Sequence, residues 1–115
     1  MFITFILDSN SNTVNLARIA SNRTFTHMCL KNTHLKTDSV TKEVYYLYIE
    51  GLYVDESINC VNTKATIPMY KGLQKRDIKL NPVGVLKPSY EYTIFNQDGT
   101  KTSDAVIIDL LFEIE

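Results

Sequence analysis

The sequence predicts an all-β fold, an antiparallel β-sandwich of jelly-roll-like form with at most one short helix, arranged as a single domain over residues 1–115. Three observations predict it. Apolar and polar residues alternate with a period of two in segment after segment, β-branched and aromatic side chains crowd those segments, and Gly, Pro, Asn and Asp punctuate the gaps. With 115 residues and 44% hydrophobic content the chain can bury a core without a disulfide or metal staple. Its net charge of -1 argues against a surface devoted to neutralising a polyanion.

The first segment, MFITFILD, has no basic leader and no small-residue cleavage site, and its apolar run stops at Asp8, so it reads as a strand and not as a signal peptide. Leu16-Ala17-Arg18-Ile19-Ala20 is the one helix-like stretch, a turn or two at most. Arg23 to Thr37 reads as a long extended segment, with Thr24, Thr26, Met28 and Leu30 alternating against Phe25, His27, Cys29 and Lys31. In KEVYYLYIE, Val44, Tyr46 and Tyr48 oppose Tyr45, Leu47 and Ile49. Both faces are apolar or amphipathic, which predicts a central strand covered on both sides.

Thr63 to Tyr70 and Arg76 to Leu80 read as shorter strands joined by a loop, Tyr70 to Lys75 with Gly72, while Pro68, Pro82 and Pro88 mark bends or sheet edges. VLKPSYEYTIF puts Leu86, Tyr90, Tyr92 and Ile94 on one face, and Lys87, Ser89, Glu91 and Thr93 on the other. The closing segment alternates Ile108, Leu110, Phe112 and Ile114 against Asp109, Glu113 and Glu115, making it a core strand. Between these two, Asp98-Gly99 is a hairpin signal that predicts their antiparallel pairing. No internal repeat or low-complexity tract interrupts the pattern, and no segment reaches the ~18 continuous apolar residues of a membrane-spanning helix.

Enzyme chemistry finds little purchase. There is no nucleophile elbow, phosphate-binding loop, zinc-protease motif or dinucleotide fingerprint, and the Asp55-Glu56 carboxylates fall in a turn-like stretch. Cys29 and Cys60 lack any Cys-x-x-Cys spacing, and only His27 and His34 could add nitrogen ligands, so no catalytic, cofactor or metal residues are assigned. A disulfide between the two cysteines has no secretory context to favour it, and the Asn22-Arg23-Thr24 sequon is equally without one.

Two surface readings remain. The tyrosines Tyr45, Tyr46, Tyr48 and Tyr53 are candidates for a subunit contact, since each brings large area and a polar tip. The basic stretch Lys71 to Leu80 offers Lys75, Arg76 and Lys79 to an alternative role, an OB-like module binding single-stranded nucleic acid. The simpler reading of that stretch is a solvated edge strand, so nucleic acid is not the expected partner.

The order of YYLYIEGL, then Arg76-Asp77-Ile78-Lys79-Leu80-Asn81-Pro82, then a Y-x-I-x-x-x-D-G hairpin from Tyr92 to Gly99 and the acidic strand LLFEIE resembles small β-sandwich structural proteins of large double-stranded DNA viruses and virophages. The upstream segment RIASNRTFTHMCLKNTHL is similar to the one that precedes this layout in such proteins. The resemblance implies a non-enzymatic structural or assembly protein without cofactors, partnered by copies of itself or by other capsid proteins, in the virion or host-cell cytoplasm. The chain is short for a full eight-stranded capsid jelly roll, which points to a minor capsid, vertex, cement or spike component.

Overall fold

A strand that alternates apolar and polar side chains must lay one face on a second layer. In the computed structural model, which describes residues 1–16, 24–25, 27–54, 59–61, 64–81 and 84–115, that layer is a second sheet. The strands in chain order are β1 (Phe2–Asp8), β2 (Thr13–Asn15), β3 (Thr24–Phe25), β4 (Met28–Thr37), β5 (Val44–Ile49) and β6 (Tyr53–Val54). They continue with β7 (Asn59–Val61), β8 (Lys64–Tyr70), β9 (Gly72–Asn81), β10 (Gly84–Val85), β11 (Ser89–Phe95) and β12 (Val106–Ile114). All strand pairings are antiparallel, and no helix occurs among the described residues.

Two five-stranded sheets run β1-β12-β4-β9-β6 and β2-β11-β5-β8-β7, with β3 and β10 as a separate two-stranded pair, and the two five-stranded orders match position for position, each strand matched by its neighbour in sequence. Without the short β6 and β7 at the margins, this is the strand order of a jelly roll, a ribbon of antiparallel pairs folded over into a sandwich. All eight principal strands therefore fit into a chain that looked short for them. Economy comes from length: β2 has only 3 residues, and a single residue, Lys71, separates β8 from β9.

The core lies between the sheets. Phe5, Leu7, Leu30, Ile108, Leu110 and Phe112 from one side meet Tyr45, Leu47, Met69, Tyr90 and Ile94 from the other. Phe5 ties the layers together, its ring 5.7 Å from that of Tyr90 across the sandwich and 4.9 Å from that of Phe112 on a strand of its own sheet. Along β4 the buried positions change from Met28 and Leu30 to Thr33 and Leu35, a switch of parity. It falls where the register with both β12 and β9 shifts, and the bulge lets one strand keep its apolar side chains inward along its length.

Three expectations are corrected. The last two long strands do not pair: β12 lies between β1 and β4, and β11 lies between β2 and β5 in the other sheet. The Asp98-Gly99 turn does form, with Gly99 at φ 91°, and Phe95 bridges Lys101, but beyond it the chain crosses to the opposite layer. Tyr70 to Lys75 is not a loop, because β9 begins at Gly72, whose φ of 90° makes the corner between sheets. Finally, β5 is covered on one side only, with Tyr45, Leu47 and Ile49 buried and Val44, Tyr46 and Tyr48 half-buried outside. The helix-like Ala17 to Ala20, the Asn22-Arg23 part of the sequon and the Asp55-Glu56 pair lie outside the described residues.

Candidate interaction surfaces

The strand parity of β5 divides the tyrosines. Tyr45 has an exposure of 0%, so it belongs to the core and is removed from the candidate contact. Its hydroxyl reaches the rim of the sandwich, where it lies 2.7 Å from Thr37 Oγ1 and donates to Asp104 Oδ2 at 2.8 Å. Tyr46 and Tyr48 turn outward. In register they adjoin Phe95 and Thr93 on β11, and Tyr46 adjoins Pro68 on β8, forming an aromatic band on the outer face of the second sheet. Lys64 Nζ sits 4.8 Å from the centre of the Tyr48 ring. Tyr53 pairs through its backbone with Asn81 of β9 in the first sheet, so it does not extend this band, and its side chain lies outside what the structure describes.

The basic stretch is divided the same way. Lys75, Asp77 and Lys79 are exposed on one face of β9, while Arg76 points to the other, half-buried. Arg76 donates to the carbonyl of Pro68 at 2.8 Å and lies 5.6 Å from the Tyr70 ring centre. Burial works against its charged form, with Tyr70 partly offsetting it. Between the two lysines, Asp77 takes an ion pair from Lys31 at 3.2 Å. The three cations proposed for nucleic acid thus form no single positive face. Period-two parity in the sequence, 75 and 79 against 76, would have separated them beforehand.

The best connected polar group escaped sequence reading. Lys42 Nζ donates to Asp104 Oδ2 at 2.7 Å and to Asn96 Oδ1 at 3.1 Å, and with Tyr45 and Thr37 it ties the β4–β5 and β11–β12 connections together at one end of the sandwich. The Lys42 ammonium, then the Tyr45 hydroxyl, hold the Asp104 carboxyl below the usual carboxylate range, and Lys42 is raised in return. No short-range motif announces such a group, since its members are spread over 67 residues of sequence, from Thr37 to Asp104.

Cys29 is a free thiol, which removes a disulfide to Cys60. It donates to Asp77 Oδ1 at 3.2 Å, and burial followed by that bond pushes its pKa up, the reverse of an activated nucleophile. Among the described residues, no group of three or more His, Cys, Asp and Glu could hold a metal ion, and no helix is long and apolar enough to cross a membrane. Clefts beside Asp38 and Ile107, beside Lys42 and Gln97, and beside Tyr48 and Glu91 enclose about 250, 230 and 160 Å³, below the ~300–1,000 Å³ of small-molecule sites. No protein-family model, curated protein or solved structure matches the chain.

Proposed function

We propose that the protein is a non-enzymatic structural protein, a small virion component of minor capsid, vertex, cement or spike type, that works by contact with copies of itself or with other capsid proteins. The observation that carries this reading is the strand order β1-β12-β4-β9 over β2-β11-β5-β8, an architecture that builds viral shells as well as lectins and cupins. Fold alone leaves the job open. Assembly is favoured by the surface: Phe2, Ile6 and Leu73 stand exposed on the outer face of the first sheet, and Tyr46 and Tyr48 line that of the second. Large apolar side chains on rigid strands suit a protein partner better than they suit solvent. The place of action on this reading is the virion and the host-cell cytoplasm.

The OB-like alternative loses its footing once Lys75 and Lys79 are parted from Arg76 and interleaved with Asp77. Sedimentation of the purified chain across a wide concentration range tests the assembly reading, alongside oligonucleotide titrations at low and high salt. A mass above that of one chain, with no salt-sensitive oligonucleotide binding, is expected. Tight, salt-sensitive binding by a chain that stays single would overturn it.

A further inference from the structure

Among the described residues, four strand edges bound the two five-stranded sheets, and β1 is the longest of them. β2 and β7 have 3 residues each and β6 has 2, whereas β1 has 7. Long edges invite pairing with another chain, and proteins that must avoid it place Lys, Pro or a bulge there. From Phe2 to Leu7 β1 has no charge and no proline, and its register with β12 runs unbroken from Phe2↔Glu113 to Asp8↔Ile107.

The phase of the β1 ladder fixes which backbone groups are unused. Met1 and Ile114 exchange hydrogen bonds of 3.2 and 2.8 Å, and Ser9 N–H donates to Val106 O at 2.9 Å. The odd-numbered residues of β1 therefore point their N–H and C=O at β12, and Phe2, Thr4, Ile6 and Asp8 point theirs away from the sheet. At Asp8 the edge is closed. The Tyr92 hydroxyl accepts from Asp8 N–H at 2.9 Å and donates to Asp8 O at 2.8 Å. Phe2, Thr4 and Ile6 are left, and no strand among the described residues pairs with them. The same three side chains lie on the outer face, with Phe2 58% and Ile6 64% exposed.

We infer that β1 pairs with β1 of a second copy of this chain, antiparallel about a twofold axis at Thr4. That register sets Phe2 against Ile6 of the other copy, Thr4 against Thr4, and Ile6 against Phe2, each pair exchanging both of its hydrogen bonds. Shifting the centre toward Phe2 leaves Ile6 without a partner. Shifting it toward Asp8 leaves Phe2 facing groups that Tyr92 already occupies. Only the Thr4 centre uses every free group. It also places the two exposed apolar side chains beside each other on both flanks of a small polar pair, with no like charges opposed. Two five-stranded sheets would then become one continuous sheet, and the inward row of Ile3, Phe5 and Leu7 would continue across the joint.

The inference rests on the assembly reading and names its contact. Thr4→Lys and Thr4→Asp both leave the β12 ladder intact, because position 4 is exposed and its backbone bonds point outward. Each variant alone sets like charges face to face, which should weaken self-association by about tenfold or more in sedimentation equilibrium. An equimolar mixture of the two should restore the dimer. Thermal melts confirm that each variant is folded, and Ile6→Lys, with one lysine beside each Phe2, should also weaken the dimer. If the unmodified chain and all Thr4 variants associate equally, the edge contact is wrong and assembly through another surface stands. If Tyr46→Ala with Tyr48→Ala is then the change that breaks association, that surface is the aromatic band. A chain with the mass of one copy at every concentration overturns self-pairing.

Discussion

Tyr45 and Tyr46 are chemically identical neighbours with opposite fates, one buried at the core and one half-exposed on an outer face. Parity separates them in the sequence, but which set turns inward is decided by the rest of each row. The set with Leu47 and Ile49 is the more aliphatic, and it is the buried one. The same test would have parted Arg76 from Lys75 and Lys79, so that miss was legible. The Lys42–Asp104–Tyr45 group was not, because its contacts exist only after both sheets have formed. With its pKa held down in the folded chain, Asp104 contributes stability that is whole above the ordinary carboxylate pKa of about 4 and is lost as pH falls through the lower folded value. Asp104→Asn should therefore lower the melting temperature at neutral pH, and the gap to the unmodified chain should shrink in acid. A gap that persists unchanged in strong acid would contradict the charge-based account. Thr33 gives the opposite sign. Its hydroxyl is buried without a hydrogen-bond partner among the described residues, so Thr33→Val, of nearly the same shape, should stabilise by about 1 kcal/mol in chemical denaturation.

At the level of elements, the strands themselves were largely readable. Lys42 to Glu50 contains β5, Val85 to Phe95 contains β11, and the alternation of Ile108, Leu110, Phe112 and Ile114 marks the inward face of β12. Pairing was not readable, because alternation says which side of a strand meets the core and not which strand lies beside it. A good hairpin turn at Asp98-Gly99 thus suggested a neighbour that the crossover to the other sheet denies. Burial along β12 gives a paired test. Phe112 has no exposed surface and packs on Phe5, whereas the adjacent Leu111 faces outward and is half-buried. Phe112→Ala should cost about 3–5 kcal/mol, as large aromatic truncations in cores do. Leu111→Ala should cost much less. Equal losses by denaturant titration would mean that the outer face of this sheet is as well covered as the inner one.

For the whole molecule, the jelly-roll order joins two facts that the sequence showed separately: a first strand with no charge before Asp8 and a closing strand with a strict inward face. The fold pairs them, β1 on β12, and in doing so leaves β1 outermost with one unprotected edge. The resemblance suggested an assembly protein, and the sequence of β5 pointed to its tyrosines for the contact. The edge became visible only from ladder phase and from the Tyr92 hydroxyl that closes one end of it. Amide hydrogen exchange along β1, measured at low and high protein concentration, tests the assembly account most directly. Ile3, Phe5 and Leu7 amides should be protected at both concentrations, since they bond to β12 whatever the partner does. Thr4 and Ile6 amides should exchange freely in dilute solution and become protected as concentration rises. Fast exchange of Thr4 and Ile6 at every concentration, beside unchanged protection of their odd-numbered neighbours, would contradict it.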